Sequence, residues 1–345
     1  MTGLRVVQWA TGNIGGRSLR HVIEHPRLTL VGLYVTSPAK VGVDAGELCG
    51  LPPTGVAATS DIDEILALDA DCVLYMPAAC DLDQVCRILE RGTNIVTTRG
   101  EFHHPGSMPP ADRDRVGRAC AAGGTSIHST GSSPGFITEA IPLVLTSIQR
   151  RLDSLAIYEY ADMSARNSPD LLFNLMGYGH PVEDFPPQRF SYLAHSFGPS
   201  MRLVAEAIGM PLDSVTSSGE VAVTPEKLTI AAGTLDAGTV AGQRTTVTGT
   251  HNGRPVMTFT ATWVVSQDLE PAWSLRGAGW NGWNVQVGGD APLDIDIRFA
   301  IPEGRMGEMT PGYTANRAVN AVPYVCAAAP GIRTTVDLPQ IIPVL

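Results

Sequence analysis

Leu4-Arg5-Val6-Val7-Gln8-Trp9-Ala10-Thr11-Gly12-Asn13-Ile14-Gly15-Gly16-Arg17-Ser18-Leu19-Arg20-His21-Val22-Ile23 is the stretch that decides how this chain is read. Its first six residues are β-rich, its glycine-rich centre is a tight turn, and from Arg17 onward apolar residues recur at helical spacing. A strand, turn and helix in that order leave unpaired N–H groups and a positive dipole end at the turn, where glycines let a diphosphate come close to the backbone. The stretch therefore reads as a dinucleotide-binding turn, with Thr11, Gly12, Asn13, Ile14, Gly15 and Arg17 as cofactor-binding residues. Ala10 stands where the G-x-G-x-x-G fingerprint usually has its first glycine. An ordinary strand-to-helix turn would show the same spacing, so the residues downstream must decide between the two.

Strand-like and helix-like runs alternate regularly there. Residues 28–35 form a continuous apolar run suited to a buried parallel strand, ending at Thr36-Ser37-Pro38. A helix over 61–68 comes after a Thr59-Ser60 cap, and Pro77 closes a strand over 72–77. Next come a helix over 82–91 with Gly92 as its C-cap, a strand over 94–98, a helix over 113–122 and a fifth strand over 125–129. Strands and helices alternating at this spacing predict a doubly wound parallel sheet. Beyond Gly135 the pattern changes to an apolar helix over 137–148, a strand over 155–160 and helical patterns between 167 and 210. From 220 to 298 the signal is mostly antiparallel, with Asn252-Gly253 between runs at 245–250 and 255–265 as a hairpin turn. A helix over 314–329 and a proline-spaced extended end complete the chain. The expected architecture is α/β: an N-terminal Rossmann domain over 1–135, rejoined by 312–345, and a second α+β domain over 136–311 with a mainly antiparallel sheet, for substrate and dimerisation.

Length and composition fit this plan. The 345 residues suffice for two domains, and 44% hydrophobic against 17% charged residues is ordinary for a globular protein. A net charge of −10, without clustered Lys and Arg, argues against a nucleic-acid surface. No apolar run is long enough to cross a bilayer, and Met1 leads into the first strand without the basic and apolar segments of a secretory leader. Cys49, Cys72, Cys80, Cys86, Cys120 and Cys326 form no C-x-x-C pair and read as free thiols in a reducing cytoplasm.

The end of the second strand bears on the cofactor. NAD-selective sites place an Asp or Glu there to hold the ribose hydroxyls. Here stand Val35, Thr36 and Ser37, with Lys40 just beyond and Asp44 only later. A 2′-phosphate would meet hydroxyls and a cation, so Ser37 and Lys40 point to NADP(H), with NAD(H) also accepted; the bland alternative makes Lys40 a solvated loop charge. Ligands of an open parallel sheet lie beyond the carboxyl ends of its strands. Pro77, Ala78, Thr98 and Gly131 at those ends are accordingly further cofactor-contacting candidates.

The loop Arg99-Gly100-Glu101-Phe102-His103-His104-Pro105 is, of the four strand-end loops, the one that combines a carboxylate with two histidines. Glu101 is the candidate catalytic residue: a carboxylate beside the nicotinamide favours an iminium cation and can take a proton from ammonium or water. A solvated loop glutamate is the alternative. His103 and His104 are either acid/base groups or surface residues. The scattered histidines offer no metal-binding spacing, and Gly131-Ser132-Ser133-Pro134-Gly135 does not meet the G-x-S-x-G frame of a nucleophile elbow. Phe136, Phe173, Leu175, Met176 and Tyr178 are candidates for an apolar substrate pocket, or simply core.

Three blocks, Ala10-Thr11-Gly12-Asn13-Ile14-Gly15, Thr130-Gly131-Ser132-Ser133-Pro134-Gly135-Phe136 and Ala318-Val319-Asn320-Ala321-Val322-Pro323 with Ala329-Pro330-Gly331, resemble the 2,4-diaminopentanoate dehydrogenase group. Its native amine dehydrogenases have an N-terminal domain similar to that of dihydrodipicolinate reductase. The resemblance implies NAD(P)H-dependent reductive amination of a small carbonyl compound by ammonia, and the reverse deamination of an amine, in a homodimer. It implies a catalytic role for the glutamate after the fourth strand, which is Glu101, and brings the helix bearing Asn316 and Asn320 near the nicotinamide. Dihydrodipicolinate reductase proper has a Lys and a Gly-Thr segment shortly after its His-His pair. His103-His104 has no such sequel, so a lysine-pathway reductase is not expected. An imine or carbonyl reductase that needs no ammonia, and a non-catalytic NADP(H) sensor, remain as alternatives.

Overall fold

The computed structural model describes residues 3–186, 188–275, 281–302 and 304–344, and the chain divides into two compact units, Met1–Phe136 with Pro311–Leu345 and Ile137–Thr310.

In chain order the first unit contains β1 (Leu4–Trp9), α1 (Asn13–Glu24), β2 (Leu28–Tyr34), α2 (Ala45–Leu48), β3 (Ala58–Thr59), α3 (Ile62–Leu66), β4 (Cys72–Tyr75), α4 (Leu82–Glu90), β5 (Asn94–Thr97), α5 (Pro110–Gly123) and β6 (Ser126–Ser129). The second contains α6 (Ile141–Thr146), β7 (Leu152–Asp162), α7 (Gln188–Ala207), β8 (Ser214–Val223), β9 (Leu228–Ile230), β10 (Gly233–Leu235), β11 (Val240–His251), β12 (Arg254–Val264), β13 (Gly282–Gly289) and β14 (Leu293–Arg298). Helix α8 (Met306–Cys326) starts in the second unit and belongs to the first from Pro311, where β15 (Gly331–Arg333) ends the series.

The seven strands of the first unit lie in the order β15-β6-β5-β4-β1-β2-β3 and every pair is parallel. Alternate side chains of each strand enter opposite layers. Val7, Val73, Tyr75 and Ile95 pack with Val85 and Ile88 of α4. Val6, Leu74 and Val96 pack with Val22 of α1 and with Val319 and Val322 of α8. Fully burying each such side chain contributes about 1.5–3 kcal/mol, which explains why these strands read as nearly continuous apolar runs. The chain adds strands outward on one side from β1 to β3 and on the other from β4 onward, so the winding order reverses between β1 and β4, the switch point at which doubly wound sheets open a crevice.

Several boundaries differ from the sequence expectation. The two-residue β3 and the three-residue β15 extend the sheet at both edges, although the tail beyond Pro330 reads only as extended. Asp61, whose side chain accepts the Asp63 N–H at 2.8 Å, caps α3 in place of Thr59-Ser60. Helix α5 begins three residues early because Pro110 suits a first helical turn. The apolar stretch over 137–148 is regular only over α6; the segment Ser132–Ala140 before it is wound as wide π-type turns and broken at Ser133, Pro134 and Gly135. Helix α8 begins at Met306 rather than 314 and runs through Pro311.

The six-stranded sheet of the second unit has the order β14-β13-β7-β12-β11-β8 and is antiparallel except between β12 and β7. The β11–β12 hairpin turns through Asn252 and Gly253 with φ of 51° and 70°, the double positive that Asn-Gly supplies. Helix α7 lies on this sheet, with Phe197 stacked on Phe259 at 4.0 Å between ring centroids. Residues 276–280, within the expected antiparallel stretch, lie outside the described residues.

Candidate active site

The glycine turn is built from beneath. Gln8 is fully buried and its Nε2 donates to the Ala10 carbonyl at 3.0 Å, while the Ala10 N–H donates to the Tyr34 carbonyl at 2.8 Å. Ala10 takes a φ of 70°, the left-handed region in which a glycine usually serves. Helix α1 then packs directly on that residue: a Cβ on Gly15 would stand 2.2 Å from the Ala10 carbonyl oxygen. At Gly12, the N-cap, a Cβ would meet nothing within 4 Å.

No side chain caps α1, and its first turn carries no acidic residue. Its unpaired N–H groups thus face an open, glycine-lined approach, which fits an anion of diphosphate size. Two cations border it. Arg17 Nη1 donates to the Asn13 carbonyl at 2.8 Å and also bonds Asn13 Oδ1. Lys40 Nζ donates to Thr11 Oγ1 at 2.9 Å and to the Thr11 carbonyl at 3.1 Å. Ser37 caps the single turn Pro38–Lys40 that carries the lysine there. Asp44, the nearest downstream carboxylate, is occupied instead: it accepts N–H bonds from Gly46, Thr54 and Gly55 at 2.7, 2.9 and 2.8 Å. The Thr54 bond above all holds its carboxyl below the usual range. Ile14 packs into the α1–α8 layer.

The other strand ends are tied to one another. The Met76 N–H donates to the Trp9 carbonyl at 3.1 Å, Thr97 Oγ1 to the Tyr75 carbonyl at 2.6 Å, and the Thr130 N–H to the Thr97 carbonyl at 2.9 Å. These bonds place the loops bearing Pro77, Ala78, Thr98, Glu101 and Gly131 along one edge of the sheet with the glycine turn. Gly131 has little room for a side chain, since a Cβ would lie 3.1 Å from both the Pro134 carbonyl and Thr314 Cγ2. Ser132 Oγ and Thr314 Oγ1 share a 2.7 Å hydrogen bond that ties this loop to α8.

Glu101 lies on a short turn, Gly100–Phe102, and is not a lone solvated carboxylate. Arg99 Nη2 stands 2.7 Å from Oε1, whereas Oε2 is enclosed and lacks a hydrogen-bond partner. Cys80 is close enough to register the charge: burial first, and Glu101 second, push its thiol up to about 12. His103 and His104 are both buried rather than on the surface, and His104 Nδ1 lies 2.7 Å from Ser107 Oγ. Arg99 is the residue of this loop that sequence reading passes over; an arginine two positions from a glutamate carries no pattern of its own.

The aromatic candidates divide. Phe136 is half-buried in the first unit with the Arg317 guanidinium 5.9 Å from its ring centroid. Tyr178 is a correction: it is fully buried in the core of the second unit, its hydroxyl donating to the Trp263 carbonyl at 3.0 Å, so it has no surface to offer a substrate. Phe173 and Met176 pack against that core. On α8, Asn320 Oδ1 is enclosed and unpartnered. Among the described residues no group of three or more His, Cys, Asp or Glu could hold a metal ion, and no helix is long and apolar enough to cross a membrane.

The model of the 2,4-diaminopentanoate dehydrogenase C-terminal domain matches residues 137–344. An amine dehydrogenase of Streptomyces virginiae is 31% identical over 349 aligned positions, covering 97% of this chain and 96% of that protein. A 2,4-diaminopentanoate dehydrogenase of Acetoanaerobium sticklandii is 26% identical over 269 positions, covering 74% of this chain and 69% of that protein. The solved structure of an amine dehydrogenase from Mycobacterium smegmatis shares the fold, with a TM-score of 0.77 at 21% identity over 99% of this chain and 97% of that one. On this match, which runs through both units, the chain belongs to the 2,4-diaminopentanoate dehydrogenase family of amine dehydrogenases, oxidoreductases acting on CH–NH2 groups.

Proposed function

We propose that this protein is an amine dehydrogenase that prefers NADP(H) and also accepts NAD(H), working as a cytoplasmic homodimer. It converts a small ketone or aldehyde, ammonia, the reduced cofactor and a proton into a primary amine, the oxidised cofactor and water, and runs the reverse deamination. The observation that carries the cofactor reading is the uncapped N-terminus of α1, with open space at Gly12 and Lys40 Nζ 2.9 Å from Thr11 Oγ1. Thr11, Gly12, Asn13, Ile14, Gly15 and Arg17 hold the diphosphate, and Ser37 and Lys40 receive the 2′-phosphate where NAD-selective sites carry a carboxylate. Pro77, Ala78, Thr98, Gly131 and Asn320 complete the cofactor contacts, and Phe136 lines the substrate side.

When bound, the cofactor supplies the hydride. Glu101 handles the proton and the charge: its carboxylate takes a proton from ammonium, freeing ammonia to attack the carbonyl carbon, gives that proton to the hydroxyl that leaves as water, and, again negative, favours the iminium cation so formed. Ammonia dependence tests this reading. NADPH absorbance should fall when small ketones or aldehydes are offered with ammonium at alkaline pH, and hold steady without ammonium. Ammonium-independent loss of NADPH would make the protein a carbonyl reductase. Binding without turnover across the panel would make it a cofactor sensor.

A further inference from the structure

The Arg99–Glu101 pair spans two residues, yet its geometry is fixed by three other elements. Arg99 Nη1 donates to the Ala78 carbonyl at 2.7 Å, which anchors the guanidinium to the loop after β4. The Arg99 N–H donates to Thr97 Oγ1 at 3.1 Å, at the end of β5, and Ser129 Oγ of β6 donates to the Arg99 carbonyl. With backbone and side chain both held, Nη2 meets Glu101 Oε1 at 2.7 Å and the carboxylate cannot swing freely. An ordinary exposed ion pair holds neither partner in one place and adds little. This one is kept although Oε2 is enclosed without a donor, which costs stability, so the carboxylate is held where it stands by the Arg99 side.

We propose that Arg99 is a positioning residue: by holding Oε1 it fixes the place and direction of the carboxylate with which Glu101 takes its proton. The inference rests on the reading of Glu101 as the proton acceptor. Arginine is suited to the task because its planar fork reaches two acceptors in fixed directions, the Ala78 carbonyl and the carboxylate, whereas a lysine ammonium at the end of a flexible stem can satisfy one of them. Misplacing a reacting group by about 1 Å lowers turnover by on the order of 10²-fold, even where binding is untouched.

The test compares Arg99→Met, Arg99→Lys and Glu101→Gln with the wild-type protein in ammonia-dependent NADPH oxidation. NADPH affinity is measured separately by fluorescence titration, and the fold is checked by the unfolding midpoint. Arg99→Met is expected to lower kcat on the order of 10²-fold with KM for the carbonyl and Kd for NADPH unchanged, and Arg99→Lys to recover part of kcat. Wild-type kcat in Arg99→Met, with Glu101→Gln inactive, would overturn the positioning role and leave Glu101 standing. Wild-type kcat in Glu101→Gln would remove both. If Arg99→Met does not fold, Arg99→Lys decides alone: a fall of roughly tenfold in kcat at unchanged NADPH affinity supports the role, and wild-type kcat overturns it.

Discussion

Replacing Gly15 with alanine probes the turn most sharply. A methyl group there would stand 2.2 Å from the Ala10 carbonyl oxygen and 2.9 Å from its carbon, both backbone atoms that Gln8 and β2 hold in place. Ordinary carbon–oxygen contact needs about 3.3 Å, so the start of α1 must move by roughly 1 Å. Overpacking of this kind costs about 1–3 kcal/mol, and it moves the N–H groups that receive the diphosphate. Gly12→Ala is the control: its Cβ meets nothing within 4 Å and its φ of −70° suits alanine, so the fold should tolerate it. The added methyl instead occupies the approach of the ligand. Thermal unfolding and NADPH fluorescence titration separate the two. Gly15→Ala should lower both the unfolding midpoint and NADPH affinity; Gly12→Ala should lower affinity alone. Wild-type NADPH affinity in Gly15→Ala would refute the assignment of this turn to the cofactor.

Other substitutions address neighbouring parts. Ala10→Gly relieves a φ of 70° and should raise stability by about 1 kcal/mol, seen as a higher unfolding midpoint; an unchanged or lower one contradicts the strain. Lys40→Met should cut kcat/KM for NADPH by about 10–100-fold, the loss of a charge-assisted bond of about 1.5–3 kcal/mol, and leave NADH nearly unaffected; equal losses for both cofactors would sever the link to the 2′-phosphate. Cys80, with its thiol pushed up to about 12 chiefly by burial and next by the Glu101 charge, stays protonated at neutral pH and should alkylate slowly there. Its rate should rise as pH approaches 12, and Glu101→Gln should bring that rise to lower pH by removing the like charge. Peptide mass spectrometry reads the rate at this one thiol, and an unmoved profile in the variant would place Glu101 elsewhere.

The central strands β1, β2, β4, β5 and β6 were legible because both faces of a parallel sheet are covered, which forces near-continuous apolar runs between turn residues. Two- and three-residue strands carry no periodicity. Ala58–Thr59 and Gly331–Arg333 are strands only because a neighbour is already there to pair with, in the latter case Ser126–His128 about two hundred residues away. The start of α8 was hidden by Pro311, which ordinarily ends a helix pattern yet lies inside this one. Helical spacing also cannot separate a pocket wall from a core, and Tyr178 proved to be core. At the candidate site, the charge of Lys40 was legible but not its bond to Thr11. The tie between Arg99 and Glu101 depends on the Ala78 carbonyl, twenty-one positions away, which no local pattern announces.

The most direct measurement of the proposed chemistry tracks the atoms. With NADPH deuterated at the transferring C4 position and 15N-labelled ammonium, a ketone turned over by the protein should yield an amine carrying one deuterium on the carbon bonded to 15N, and Glu101→Gln should form little of it. Deuterium appearing instead in an alcohol, or label absent from every product of a broad carbonyl panel, would contradict the account.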